Sequence, residues 1–234
     1  MSGHVKSTPL HRVQGWGLST YAGLVWRTSR YRIEGRENVR QVHAAGLPLI
    51  LAAWHGMTMM LTGYLAAEED LSRYVLVVPD DPRGAVLSVW ARRLGATPFP
   101  ISMEAESMVA ARRLLALIRR MRRGDSLYLN PDGPDGPSHE PKRGVVFIAR
   151  KAGARIVPAG AFTATGFRIP RWDRYTVPFP FSRIAVVLGE PLGVPPDADA
   201  EQARVVLRER LNEVERAAEE LYRSTSNGSS RGWR

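Results

Sequence analysis

Cysteine is missing from all 234 residues. Disulfides, thiolate metal ligands and a cysteine nucleophile are thereby excluded. Lysine is scarce: Lys6, Lys142 and Lys151 are the only ones, and every other basic residue is arginine. No apolar run reaches the roughly 20 residues that a membrane-spanning helix requires. The most apolar early segment, Trp16 to Trp26, is broken by Gly17, Ser19, Thr20 and Gly23. The five histidines form no metal-spaced pair, so a zinc site is not expected. There is no Gly-x-Ser-x-Gly elbow and no Walker A loop, and Gly15-x-Gly17-x-x-Thr20 is an incomplete dinucleotide fingerprint that follows no strand. Helix-turn-helix, zinc-finger and RNA-binding signatures are also absent, as is a signal-peptide pattern.

What is present is ordinary globular material with an unusual charge. Apolar residues make up 44% and charged residues 24%, and the net charge is +10. Such a surface attracts nucleic acid, anionic membrane or small anions, and composition does not choose among them. The arginines spread along the whole chain rather than forming one nucleic-acid stripe. Three regions are expected: an amphipathic membrane-surface segment over 1–27, an α/β domain over 28–222, and a disordered basic tail over 223–234.

Short apolar runs bounded by glycine, proline or aspartate predict strands at Tyr31–Glu34, Pro48–Ala53, Tyr74–Val78, Thr97–Ile101, Ser126–Asn130, Arg155–Ala161 and Arg183–Leu188. A helix is predicted from Pro82 to Leu94, with proline in its first turn and Gly95 beyond its end. The next is expected to be capped by Ser102, with Glu104 and Glu106 near its start and Met108, Ala111, Leu114, Leu115, Ile118 and Met121 on one face. Another is expected from Glu201 to Tyr222. Strands alternating with helices predict an α/β single domain: a mostly parallel central sheet flanked by helices.

Three segments carry chemical interest. In Pro48–Gly56 an apolar strand delivers His55 to its carboxyl end, where ligands bind in open α/β sheets. A neutral imidazole there can take a proton from an alcohol near neutral pH; the plainer role is a structural hydrogen bond. The run Leu127–Pro137 ends a strand in a rigid loop, Pro131-Asp132-Gly133-Pro134-Asp135-Gly136-Pro137, which either shapes a ligand site or makes a tight turn. Lys142 and Arg143 precede a helical stretch from Gly144 to Gly153, where they can bind phosphate with free helix N–H groups or form a solvated basic turn.

In combination and order these segments resemble the lysophospholipid-acyltransferase superfamily, which includes glycerol-phosphate and lipid A acyltransferases. The nearest likeness is to its bacterial branch catalogued as domain of unknown function 374. The resemblance continues through Trp172-Asp173-Arg174, Pro178-Phe179-Pro180 and Gly189-Glu190-Pro191. It implies a glycerol-3-phosphate acyltransferase-like fold and an O-acyl transfer from acyl-CoA or acyl-carrier protein to a hydroxyl of a lysophospholipid or related lipid. No cofactor is implied beyond that co-substrate. His55 would be the general base, and Arg83, Pro131, Asp132, Gly133, Lys142, Arg143 and Gly144 the substrate-binding set. The partners implied are an anionic membrane surface, the acyl donor and the lipid acceptor, with peripheral attachment at the cytoplasmic face of the inner membrane and no specific nucleic acid. The alternative is a non-catalytic lipid-binding member of the same fold.

Three places depart from the family pattern, one being Ile101-Ser102-Met103, which lacks the arginine expected after strand Thr97–Ile101. The family's acid, after four intervening residues beyond the histidine, is Met60 here. Asp80, Asp81 or Asp132 is expected to substitute, with Asp81 preferred as catalytic partner of His55. Asp135 stands where a phosphate-binding arginine is expected, which leaves Arg83, Lys142 and Arg143 to supply positive charge.

Overall fold

The computed structural model describes residues 8–101, 108–226 and 233. The expected cap at Ser102, Glu104 and Glu106 lies outside these residues, as does most of the expected tail. The strands in chain order are β1 (Arg30–Glu34), β2 (Leu49–Ala52), β3 (Tyr74–Pro79), β4 (Thr97–Ile101), β5 (Ser126–Leu129), β6 (Arg155–Phe162), β7 (Gly166–Arg168), β8 (Thr176–Pro178), β9 (Arg183–Leu188) and β10 (Leu192–Gly193). The helices are α1 (Pro9–Thr28), α2 (Arg36–Ala44), α3 (Thr58–Glu68), α4 (Pro82–Arg93), α5 (Met108–Arg122), α6 (Arg143–Ala152) and α7 (Ala200–Ser226).

The central sheet runs β1-β9-β6-β2-β5-β3-β4, with β10 pairing β6. From β6 to β4 all neighbours are parallel; β9 is antiparallel to β6, and β1 runs parallel to β9. This is the expected α/β single domain with a mostly parallel sheet, its far edge closed by a reversed pair. Helices cover the sheet, so a middle strand must be apolar on both faces. Leu49, Ile50, Leu51 and Ala52 of β2 are accordingly without exposed surface. Burying each of the larger three contributes about 1.5–3 kcal/mol.

Within the segment expected to be amphipathic, α1 packs on α3 and α4 and buries Gly15, Ser19, Ala22 and Val25. Gly15 is required there: a Cβ would sit 2.6 Å from the Cβ of Val89 on α4. The opposite face leaves Leu10, Val13, Trp16 and Leu24 exposed. At the other end α7 continues to Ser226, three residues past the expected start of the tail at 223, because its stripe of Leu207, Leu211, Val214, Ala218 and Leu221 is buried. Among the described residues no helix is long and apolar enough to cross a membrane.

Candidate active site

The parallel strands bring their carboxyl ends to one edge, and β2 brings Trp54 and His55 there. Trp54 is buried, and its indole N–H donates to Asn212 Oδ1 on α7 at 3.1 Å. A single tight turn, His55–Met57, then leads into α3, and the Thr58 hydroxyl donates to the His55 carbonyl at 2.9 Å. The His55 backbone N–H donates to Asp132 Oδ1 at 3.0 Å. The ring is thus carried on a peptide held from both sides.

The imidazole Nδ1 lies 2.6 Å from Asp173 Oδ2. Asp173 sits in the loop that joins β7 to β8, and its side chain is 1% exposed against 24% for His55. Arg171 grips the same carboxylate with two bonds, Nε to Oδ1 at 2.8 Å and an Nη to Oδ2 at 2.9 Å. The Tyr175 backbone N–H adds a third donor at 3.3 Å. Burial works against the charge on Asp173, yet the bonds from Arg171 and His55 hold its carboxyl below the ordinary range. An ionised carboxylate only accepts, so Nδ1 must carry a proton, and Nε2 is the nitrogen left to exchange one with a ligand. Among the described residues Nε2 has no hydrogen-bond partner.

Asp173 therefore fills the role expected of Asp81 or Asp132. The sheet order explains why Asp81 does not: β3 pairs β5 rather than β2, which puts Asp81 two strands, or about 10 Å, from the His55 strand. Asp81 instead caps α4 by accepting from Gly84 N–H at 3.0 Å, and it binds Arg83 at 2.7 Å. Asp80 pairs with Arg113 at 2.6 Å. An acid at position 60 would be costly here, since Met60 is 3% exposed in the core.

Two glycines explain why the loops can close on the histidine. A Cβ on Gly56 would lie 2.3 Å from the Asp173 carbonyl oxygen, and one on Gly133 would lie 3.0 Å from Cδ2 of the His55 ring. Gly136, at φ +74°, admits the Trp172 ring in the same way. Trp172 and Tyr175 flank the imidazole at centroid distances of 5.5 and 5.6 Å.

The residues expected to bind substrate separate into two groups. Pro131 and Asp132 are buried and serve the loop itself. The Pro131 carbonyl accepts from Lys142 N–H at 2.8 Å, and Asp132 accepts from the N–H groups of His55 and His139. Burial pushes the Asp132 carboxyl up, against the pull of those donors. The Asp132 carboxylate, expected among the substrate-binding residues, is fully buried and clamps the loop to the histidine peptide. Arg83 bridges Asp81 and Asp135, the latter at 3.4 Å, so most of its charge is matched locally. Lys142, Arg143 and Gly144 open α6, and among the described residues the Lys142 and Arg143 side chains form no hydrogen bond or ion pair. Gly144 has open space where a side chain would be.

Asp173 escaped attention as a partner because it lies 118 residues from His55. The one signal for it was its place within Trp172-Asp173-Arg174, among the segments shared with the resembled family.

A histidine–carboxylate pair thus stands at the carboxyl edge of a mostly parallel sheet. Across 91% of this chain and 81% of that one, the structure is similar to the 1-acyl-sn-glycerophosphate (LPA) acyltransferase PlsC from Thermotoga maritima, with a TM-score of 0.52 and 18% identity. In sequence the chain is 26% identical over 183 residues to an uncharacterised protein of Rickettsia prowazekii (strain Madrid E), covering 77% of this chain and 80% of that one. No protein-family model matches it.

Proposed function

We propose that this chain is an acyltransferase that moves a fatty acyl group from acyl-CoA or acyl-carrier protein to a hydroxyl of a lysophospholipid or related lipid. The observation that carries the reading is the 2.6 Å contact between His55 Nδ1 and the ionised Asp173, which leaves Nε2 free on the fold of a known acyltransferase. Nε2 takes the proton of the acceptor hydroxyl as its oxygen attacks the thioester carbonyl. Asp173 stabilises the imidazolium that results. When the tetrahedral intermediate collapses, the C–S bond breaks and the proton passes from His55 to the departing thiol. The acyl group ends on oxygen without a covalent enzyme intermediate.

Lys142, Arg143 and the open first turn of α6 would take the acceptor's phosphate. Arg83, already shared between two carboxylates, is the weaker candidate for that role. A non-catalytic lipid-binding protein on this fold has no use for a buried carboxylate that fixes the Nδ1 side of the ring and leaves Nε2 without a partner among the described residues, so the pair favours turnover. The enzyme works attached to the anionic cytoplasmic face of a bacterial inner membrane, in keeping with its +10 charge and the exposed apolar face of α1.

The test is His55→Ala in an assay of acyl-CoA and acyl-carrier protein against a panel of lyso-lipid acceptors. Acyl transfer is expected to vanish while the variant still melts cooperatively. Near wild-type turnover in a folded variant would sink the assignment.

A further inference from the structure

Large apolar side chains exposed to solvent are not scattered over this molecule. Ten are exposed among the described residues, and seven of them lie on α1 or on the β7–β8 hairpin and its exit. Those on the hairpin side are Phe167, Phe179 and Phe181, exposed by 56%, 52% and 79%. The two segments are joined: the Tyr21 hydroxyl of α1 donates to the Pro178 carbonyl at 2.8 Å, and the Phe181 N–H donates to Thr28 Oγ1 at 3.1 Å. Phe181 is also held at φ +66°, a conformation a bulky residue avoids unless its surroundings impose it. A rigid backbone thus holds a phenyl ring out into water.

The charge around these rings has one sign. Helix α1 contains no acidic residue, and from 163 to 183 the single acid is Asp173, which is buried and paired. Arg12 and Arg27 lie on α1, and Arg168 and Arg174 lie on the hairpin and its connecting loop. Apolar rings amid arginines without exposed carboxylates match an anionic lipid surface, whose acyl boundary takes the rings and whose headgroups take the guanidiniums.

We infer that the β7–β8 hairpin and its Phe179–Phe181 exit form, with α1, the surface that seats on an anionic bilayer. The seat bears on the site through position. The first residues of β9 pair with the last of β6, so Phe181 stands at the same edge of the sheet as His55. The hairpin's connecting loop carries Asp173, the charge partner of His55. Lipid contact and the histidine's electrostatic support are therefore built on one element, and a lipid hydroxyl reaches His55 without leaving the bilayer surface. This last consequence rests on the acyltransferase reading; the seating itself does not.

The absence of cysteine allows a direct test. Phe181→Cys, labelled with an environment-sensitive dye, is mixed with vesicles of phosphatidylcholine and phosphatidylglycerol. The dye should shift to the blue and be quenched by nitroxides carried on the lipid. Leu47→Cys, at the opposite end of the sheet, should show neither effect. The pair Phe179→Ser with Phe181→Ser should weaken vesicle binding by about tenfold or more, the loss expected for two interfacial rings. Tryptophan at both positions should retain it. A dye at Phe181 blind to vesicles, equal response to phosphatidylcholine alone, or a shift that follows protein concentration rather than lipid would overturn the inference. All of these are read without substrate, so failure of the catalytic reading would show separately, in the His55→Ala assay.

Discussion

At the scale of single residues, the site depends on one carboxylate and two missing side chains. Asp173→Asn keeps the size of Asp173 but removes its charge and lets the amide donate where only an acceptor is wanted. Turnover is expected to fall by ~10²–10⁴ with little change in KM, since the pair matters most when the ring is charged. Equal loss in kcat and in acceptor affinity would assign Asp173 to substrate binding instead. The same group shapes acid stability. Its folded pKa lies below the unfolded one, so its contribution is present above the ordinary carboxylate value and is lost as pH falls through the lowered one. Gly56→Ala tests the close approach from the other side. The added methyl would meet the Asp173 carbonyl oxygen at 2.3 Å, and backbone cannot yield as a flexible side chain can. A stability loss of about 1–3 kcal/mol is expected from overpacking, with a drop in turnover as Asp173 is pushed from the ring. Wild-type melting and kinetics in this variant would show that the approach is not constrained as described.

At the scale of elements, the loop 131–142 is held by α7 as much as by its own prolines. His139, at φ 61°, donates its backbone N–H to Asp132 and places its ring 2.8 Å from Glu215 of α7. The bond to Glu215 raises the His139 pKa, with burial opposing. A raised histidine stabilises the fold fully below its unfolded value of about 6.5, and that support disappears as pH rises through the raised value. Urea midpoints should therefore fall across that window in wild type, and the fall should flatten in Glu215→Gln; parallel curves would remove the latch. Elements like these were unevenly legible in the sequence. Strands β2, β3, β5, β6 and β9 were readable because a strand buried on both faces must be an apolar run of strand length, and the half-exposed β1 and β4 only by the residues that bound them. Helix α3 was not: Met59 to Leu65 are buried on every side, so no stripe marks its period. β7 and β8, three residues each and partly exposed, lack the alternation that identifies a strand. His55 was readable because its strand carries it to the carboxyl edge. Asp173 was not, because its hairpin gives no periodic signal and its meeting with His55 is purely tertiary.

At the scale of the whole molecule, the charge of +10 and the apolar seat should separate under salt. Long-range attraction to an anionic bilayer acts over a Debye length of about 10 Å at 0.1 M ionic strength and about 3 Å at 1 M. Apolar seating is not screened, and it strengthens slightly in salts that raise the cost of apolar hydration. Co-sedimentation with anionic vesicles should therefore fall as sodium chloride rises and level off above zero. On neutral vesicles the chain should start near that plateau and hardly respond. The plateau belongs to the rings, so Phe179→Ser with Phe181→Ser should lower it while leaving the salt-sensitive part nearly unchanged. Replacing Arg168 and Arg174 by glutamine should do the reverse. If the two sets of variants change the same part of the curve, charge and apolar contact are not separate contributions. Equal binding to neutral and anionic vesicles at low salt would eliminate the electrostatic share altogether.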